Sequence, residues 1–300
     1  MSVAAGPPAG LYLRARELRP SPARPLVMGI VNASPESFSD GGEVGDADDQ
    51  VRLGIAMRDA GADLIDVGGE SGVTDRPAVG VEEEIRRVVP VVERLAGAGA
   101  LVSVDTWKAQ VARAALDAGA AMINDVSGLS DPGVADACAT TGAGLVLTHT
   151  RARPKEKAFP RYGDVAADVV AHLRDRIDAA LASGVHREQL VLDPGPDLAK
   201  TPADTIATLR ALPDVAALER PVLLAASRKD FVGALTGRAP RDRLAGSLAA
   251  IGAGLDRGAS ILRVHDVAAT VDYLAVRAAL EGDAEVEPGL RLPPGLRRAV

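Results

Sequence analysis

Side chains that can bind, ionise or carry a proton follow the short apolar runs of this 300-residue sequence. The runs are rich in Val, Ile and Leu, which is typical of strands buried on both faces. If those strands are parallel, their carboxyl ends meet at one edge, and so do the residues that follow them. The side chains expected to gather there are Asn32, Asp66, Glu70, Asp105, Asn124, Asp125, His149, Asp193, Lys229, Arg263 and His265.

Three of these side chains fit a flat, nitrogen-rich heterocycle with amino and lactam edges. Asp105, Asn124 and Asp193 supply carboxylate and amide groups, which are directional hydrogen-bond partners. A transition-metal site is the alternative, but the set lacks the paired His or several Glu typical of one. Any single Asp after a strand is more often a helix cap, so the prediction depends on the clustering of the set.

A second group fits an anion. Arg263 and His265 are two residues apart in one apolar run, so their side chains point the same way. With Asn32 and the Ser- and Gly-rich stretch after it they suit a phosphate, and phosphate sites in barrels favour the last two strands. The alternative is a structural arginine that pairs with a neighbouring acid.

Lys229 has two candidate roles. It follows a buried run that ends at Ala226, so its stem can be buried while its ammonium reaches the edge of the sheet. There it either donates to the heterocycle or forms a Schiff base, as in an aldolase. The Schiff-base role would leave the carboxylate and amide set without a task, so the first role is favoured.

The apolar runs alternate with segments of helical spacing along most of the chain. Eight strand-like runs, from 26–31 to 260–265, each precede a helical segment. This alternation predicts an α/β fold, a single-domain (β/α)8 TIM barrel, over residues 25–281. A doubly wound open sheet is the alternative, but the G-x-G-x-x-G turn typical of it is absent after the first strand. Residues 1–24 are expected to be a flexible lead-in and residues 282–300 a loose tail.

The composition excludes several classes of protein. A net charge of −7 leaves no basic surplus for nucleic acid, and no apolar run approaches the length of a membrane span. Aromatic residues make up only 2% of the chain, so we expect an aliphatic core of the kind found in β/α layers. The amino terminus lacks the pattern of a signal peptide, and the single cysteine, Cys138, cannot form an internal disulfide. We therefore expect a cytoplasmic protein.

Seven stretches of the chain match the motifs of one enzyme family. They are MGIVNASPESFSDGG, ADLIDVGGES, VSVDT, INDVSG, LVLDPG, SRK and RVHDV, in this order. Any one of them is a weak signal, whereas their order and spacing together are specific. From about residue 25 to residue 280, the sequence resembles the dihydropteroate synthases, which are pterin-binding barrels.

The resemblance implies a reaction and a set of roles. The family joins a dihydropterin methyl diphosphate to 4-aminobenzoate and releases diphosphate, a step of folate biosynthesis. It implies that the pterin is bound by Asp105, Asn124, Asp193 and Lys229. It implies that the diphosphate is bound by Asn32, Arg263 and His265, with Asn32 near a Mg²⁺ ion. Lys229, Arg263 and His265 are then the expected catalytic residues, and a homodimer is the expected assembly.

Two departures from the family pattern change loop sequences. Where the family reads G-G-E-S-T-R-P-G, this chain reads GGESGVTDRPAVG, which displaces the candidate second-substrate residues Thr74, Arg76 and Pro77. After LVLDPG, the family favours F-G-F-G-K, whereas this chain has the stretch 196–200, PDLAK. Both changes fall on the side of the second substrate.

Two further departures are single residues. His149 is followed by Thr150, where the family commonly has Met. The S-R-K stretch is followed by Asp230 rather than Ser, at the place where the family receives the carboxylate of 4-aminobenzoate. An ionised Asp repels that anion unless it points away or is paired, for instance with Arg76.

A dihydropteroate synthase is the leading hypothesis. A non-catalytic or altered-specificity pterin-binding paralogue is the main alternative, motivated by Asp230 and the altered GGES loop. A barrel methyltransferase of a reduced folate is less favoured, because a methyl-folate lacks the diphosphate that Arg263 and His265 suit.

Overall fold

The structure, a computed structural model, describes residues 10–14, 16–33, 46–72, 74 and 77–296. An amino-terminal hairpin supplies β1 (Leu11–Leu13) and β2 (Arg16–Leu18). Eight parallel strands of the described chain then close into a barrel, which confirms the predicted (β/α)8 fold. They are β3 (Leu26–Asn32), β4 (Leu64–Gly68), β5 (Val102–Asp105), β6 (Met122–Asp125), β7 (Gly144–Thr148), β8 (Leu190–Asp193), β9 (Val222–Leu224) and β10 (Ala259–Val264).

Helices surround the barrel. They are α1 (Ala47–Asp59), α2 (Val81–Gly97), α3 (Ala109–Asp117), α4 (Gly133–Thr141), α5 (Val165–Ala182), α6 (Pro202–Arg210), α7 (Leu212–Ala216), α8 (Asp230–Thr236), α9 (Leu244–Leu255) and α10 (Val267–Glu281). The short helix α8 directly follows the S-R-K stretch and was not predicted from the sequence. No helix within the described ranges is long and apolar enough to cross a membrane.

Along every strand, side chains that point into the barrel alternate with side chains that point out towards the helices. This is because successive side chains of a strand point to opposite faces. One buried cluster contains a residue from most of the strands, among them Met28, Leu64, Met122, Val191 and Ile261. A second, larger cluster holds their neighbours in sequence and packs against the helices. The residues two positions beyond the interior cluster therefore also face inward, one layer nearer the carboxyl ends of the strands.

The amino-terminal hairpin closes the opposite end of the barrel. Leu11 and Leu13 are 0% and 1% exposed and belong to the interior cluster, and Arg220 Nη2 donates to the Gly10 carbonyl at 2.7 Å. The sequence predicted a flexible lead-in over residues 1–24 and did not anticipate this hairpin. The Leu-x-Leu alternation of β1 is too short to be distinguished from a loop by sequence, and burial against the barrel floor is what orders it.

Candidate active site

The inward-facing layer at the carboxyl ends of the strands carries the ionisable residues. Asp66, Asn124, Asp193 and Arg263 each stand two positions beyond a member of the interior cluster, namely Leu64, Met122, Val191 and Ile261. Strand alternation thus brings four polar side chains from β4, β6, β8 and β10 into one layer. Part of the polar edge predicted from the sequence is therefore one inward-facing layer.

Arg263 donates hydrogen bonds to two carboxylates at this end of the barrel. Its Nε donates to Asp66 Oδ2 at 2.6 Å and its Nη2 donates to Asp105 Oδ2 at 2.7 Å. The same Asp66 oxygen accepts from Asn124 Nδ2 at 3.1 Å, while Asp66 itself is fully buried. Sequence reasoning placed Asp66 at this edge but gave it no role; the structure makes it the hub of the network. Arg263 therefore has acid partners, as the structural alternative proposed, and also faces the site.

One guanidinium serves two carboxylates here, and burial and charge together shift the pKa values of Arg263 and Asp105. Burial lowers the pKa of Arg263, but the charges of Asp66 and Asp105 outweigh it and hold that pKa above its usual value. Burial raises the pKa of Asp105 to about 7, a rise that Arg263 opposes and Asp66 adds to. Arg263 is therefore charged, and Asp105 has an elevated proton affinity, chiefly because it is buried and further because Asp66 lies near it.

Asp193 and Lys229 lie near Arg263, whose charge acts on the pKa of both groups. Asp193 is 4% exposed, its Oδ1 accepts from the Gly195 N–H at 2.7 Å, and burial raises its pKa. Burial lowers the pKa of Lys229, and the charges of Asp197 and Asp193 oppose that shift. The Lys229 ammonium makes no hydrogen bond to any residue that the structure describes, which leaves its donors available to a ligand.

The hydrogen bonds around His265 select its tautomer. Ser227 Oγ accepts from the His265 backbone N–H at 3.2 Å and lies 3.1 Å from His265 Nδ1. When Ser227 donates its hydroxyl proton to Nδ1, the ring proton resides on Nε2. Burial lowers the pKa of His265 to about 4, with Arg263 and Arg228 adding to the effect. At neutral pH this ring is an uncharged donor.

Lys200, which the sequence reasoning left without a role, is a buried hub behind the site. It is 2% exposed, and its Nζ donates to His149 Nδ1 at 2.7 Å and to the Gly195 carbonyl at 2.9 Å. His149 Nε2 in turn lies 2.7 Å from Asp168 Oδ1. Burial lowers the pKa of Lys200 to about 7 and that of His149 to about 3. The sequence signal for this role was the position of Lys200 at the end of a loop that begins after the buried Asp193.

The loop between β8 and α6 has a backbone suited to glycine. Gly195 has φ +66° and a Cβ there would meet the His149 carbonyl oxygen at 2.1 Å. Asp197 and Ala199 also have positive φ, at 62° and 51°, in the stretch where the resembling family favours glycines. An L-residue in this region costs about 1–2 kcal/mol. The loop thus adopts positive φ at Asp197 and Ala199, although neither residue type favours that backbone conformation.

On the second-substrate side, Asp230 is paired and points outward. Its side chain is 88% exposed and accepts from Arg243 Nη1 at 3.0 Å. Asp197 Oδ2 accepts from the Phe231 N–H at 3.2 Å, at the beginning of α8. Arg76, the partner suggested for Asp230 by the sequence, lies outside the described residues; the partner that the structure shows is Arg243.

The remaining predicted residues lie at the same end of the barrel. Asn32 is exposed at the end of β3, and Thr74 and Pro77 lie in the loop after β4, with Pro77 exposed. No group of three or more His, Cys, Asp or Glu in the described parts of the chain is arranged to hold a metal ion. A metal ligand set made of protein side chains alone is therefore not present among those residues.

Comparison with known proteins identifies the family. The model of the family described as "Pterin binding enzyme" matches residues 28–265, which is most of the chain. A dihydropteroate synthase of Mycobacterium leprae is 45% identical over 264 residues, covering 83% of this chain and 91% of the relative. The chain belongs to the dihydropteroate synthase family.

Solved structures of a dihydropteroate synthase agree with this. The enzyme of Xanthomonas albilineans, with 4-aminobenzoic acid and with 7,8-dihydropteroate, matches this structure with TM-scores of 0.84 and 0.81. Both are 46% identical to it, and the matches cover 91% of this chain and 98% of theirs. The barrel fold is therefore that of a dihydropteroate synthase.

Two other relatives mark the range of the family. A probable bifunctional folylpolyglutamate synthase/dihydropteroate synthase of Haloferax volcanii is 44% identical over 87% of this chain, which spans 32% of that longer protein. An inactive dihydropteroate synthase 2 of Mycobacterium bovis is 42% identical over 91% of this chain and 87% of its own. Members named as dihydropteroate synthases and a member named as inactive thus stand at similar distances from this chain.

Proposed function

We propose that this protein is a working dihydropteroate synthase, which joins a dihydropterin methyl diphosphate to 4-aminobenzoate with loss of diphosphate. The observation that carries the proposal is the layer in which Arg263 donates to Asp66 and Asp105, Asn124 donates to Asp66, and Asp193 lies close enough for its charge to act on Arg263. The carboxylates and the amide can hydrogen-bond the amino and lactam edges of the pterin. Lys229 places its ammonium at the same site. That ammonium makes no hydrogen bond to any residue in the described chain.

The first chemical step breaks the bond between the pterin methylene and the diphosphate oxygen. The electron-rich pterin spreads the positive charge that is left on the methylene carbon. Asp66 and Asp193, together with the ionised form of Asp105, place negative charge around the ring in a buried site, where fixed charges act strongly. These acids therefore favour the cation over the neutral substrate.

The leaving diphosphate needs donors and positive charge. His265 presents its Nε2–H, and Arg263 carries a charge that Asp66 and Asp105 keep in place. Both groups are set before the reaction, so little reorganisation accompanies charge development on the leaving group. The neutral aromatic amine of 4-aminobenzoate then attacks the methylene carbon, a step that requires no strong base.

A Mg²⁺ ion fits this site if it arrives with the diphosphate. Asn32 offers a hard amide oxygen at the exposed end of β3. Magnesium commonly keeps several waters and takes only one or two protein ligands beside substrate phosphates. Asn32 would hold the ion, which when bound supplies positive charge to the leaving diphosphate.

The decisive experiment is diphosphate release from the dihydropterin substrate with Mg²⁺, with and without 4-aminobenzoate. A synthase yields 7,8-dihydropteroate only when the amine is present. Binding of the pterin substrate by calorimetry, together with no dihydropteroate, would overturn the proposal. That result would favour the second candidate, a non-catalytic or altered-specificity pterin-binding paralogue, which the 42% identity to an inactive relative supports.

We also propose that the protein is a cytoplasmic homodimer. Leu235 on α8 and Val276 and Leu280 on α10 are 68%, 61% and 82% exposed, and large exposed apolar side chains suit a contact between copies. Light scattering after size-exclusion chromatography tests the assembly, and a mass of one chain would contradict it. The single cysteine, the buried Cys138, suits a reducing compartment, and fractionation of the source cells tests the location.

A further inference from the structure

Lys155 joins two loops that strands of the barrel hold apart. It lies in the loop after β7, and its Nζ donates to the Ser71 carbonyl, in the loop after β4, at 2.5 Å. It also lies 3.3 Å from Glu70 Oε1. Because β5 and β6 separate β4 from β7 in the barrel, this contact spans the ends of the two strands that carry Asp105 and Asn124.

The place that receives Lys155 is a built ionic cluster. The Glu70 side chain is only 2% exposed, and Lys108 Nζ donates to Glu70 Oε2 at 2.8 Å. Lys108 also donates to the Val79 carbonyl at 2.8 Å and to the buried carboxylate of Glu84. With Lys155 at 12% and Lys108 at 14% exposure, two ammonium groups balance two buried carboxylates.

This balance distinguishes Lys155 from an ordinary lysine at the rim of a site. A buried carboxylate that loses one of its cations retains an uncompensated charge, which is strongly unfavourable. Lys155 also has φ +68°, a backbone conformation that residues with a side chain rarely adopt. The loop after β7 therefore holds an unfavourable backbone conformation while Lys155 reaches the loop after β4.

We propose that Lys155 is a positioning residue for the second substrate. By fixing Ser71 and Glu70 it orders the described part of the loop after β4, which carries Thr74 and Pro77. Lys155 makes no hydrogen bond to the pterin residues Asp105, Asn124 or Asp193, so its effect falls on the amine rather than on the pterin. This inference rests on the proposed synthase activity, since the amine is identified by that reaction.

The kinetic test compares three variants of the full-length protein. Lys155→Met removes the ammonium and keeps most of the length of the side chain, Lys155→Arg keeps the charge, and Lys157→Met is a matched control on an exposed lysine of the same loop. We expect Lys155→Met to raise the KM for 4-aminobenzoate by about tenfold, because an unfixed loop must be ordered on binding. The KM for the pterin diphosphate and kcat are expected to change less than about twofold, and Lys155→Arg is expected to recover most of the loss.

A second measurement needs no activity. Hydrogen–deuterium exchange of peptides from the loop after β4 is expected to be faster in Lys155→Met than in the unchanged protein, and unchanged in Lys157→Met. Equal exchange in all three proteins, or an equal rise of KM for both substrates, would overturn the role of Lys155. If the unchanged protein makes no dihydropteroate, the proposed function fails, whereas the exchange experiment still decides whether Lys155 fixes this loop.

Discussion

The two sides of the barrel mouth are built in different ways. On the pterin side, Asp66, Asn124, Asp193 and Arg263 project from strands into one layer, where Asp66 accepts hydrogen bonds from Asn124 and Arg263 and Asp193 accepts from the Gly195 N–H. On the second-substrate side, the residues stand on loops and on the first turn of the short helix α8, and Asp230 is largely exposed. Strands fix the side chains that they carry, whereas loops can change residues while the fold remains the same.

The difference also explains where this chain departs from its family. All of the residues proposed to bind the pterin lie in stretches that match the family motifs, and the substitutions at 196–200 and at Asp230 lie in loops or at a helix start. A substitution in the buried layer would leave a carboxylate or a guanidinium without its partner, which is costly. The same change at an exposed position is nearly neutral, because water solvates the charge.

The largest effect is expected on the pterin side, from Asp193→Asn. The amide oxygen can still accept from the Gly195 N–H, but the negative charge that favours the pterin cation is lost. We expect kcat to fall by about a hundredfold or more, in line with the loss of one preorganised electrostatic group. Steady-state diphosphate release measures it, with Asp117→Asn, at an exposed carboxylate of α3, as the control. A kcat within threefold of the unchanged protein would place the chemistry outside the buried layer.

Lys200 supports the β8–α6 loop, which joins the two sides of the barrel mouth. Its contribution to the free energy of unfolding is expected to depend on pH. The pKa is about 7 in the folded protein against an ordinary value of 10.5, so the unfolded chain binds more protons between these values. The free energy of unfolding therefore rises with pH over this window, by at most about 1.4 kcal/mol per pH unit from this group. Denaturant unfolding at pH 7.5, 8.5 and 9.5 is expected to show a smaller rise in Lys200→Met. Parallel pH profiles would mean that Lys200 is charged in the fold.

A smaller effect is expected at Ala199, in the same loop. Ala199 has φ +51°, so Ala199→Gly relieves backbone strain and is expected to raise stability by about 0.5–1 kcal/mol. A gain of that size corresponds to about 2 °C in Tm for a protein of this size. The control is Ala118→Gly at φ −72°, where the same change is expected to lower Tm. Thermal unfolding with a lower Tm for Ala199→Gly would show that the loop is not strained there.

The smallest effect is expected at Asp230. Because its carboxylate is exposed and paired with Arg243, its repulsion of 4-aminobenzoate is weak. We expect Asp230→Ser to lower the KM for 4-aminobenzoate only about threefold at low salt, and less at high salt, because salt screens exposed charges. A tenfold or greater drop in this KM would show that Asp230 faces the substrate. The contrast between the two sides of the barrel mouth would then not hold for this residue.

The sequence predicted much of the pterin side and little of the loops. Arg263 and His265 could be assigned to one site because a strand turns every second residue to the same face. Lys200 and the hairpin residues Leu11 and Leu13 were missed, because burial of a lone lysine or of a three-residue strand depends on distant elements that no local pattern reveals. The pairing of Asp230 with Arg243 was likewise missed, since Arg243 follows a short helix that the sequence did not predict.

The sequence by itself determined the barrel, the order of its strands and the residues that stand at their carboxyl ends, because these follow from apolar periodicity and from short motifs. The tertiary structure decided how those residues are paired and protonated. Arg263 meets Asp66 across 197 residues of chain, and burial beside that pair raises the pKa of Asp105 to about 7. Periodicity is a local property of the chain, whereas desolvation and charge pairing depend on which distant side chains the closed barrel brings together.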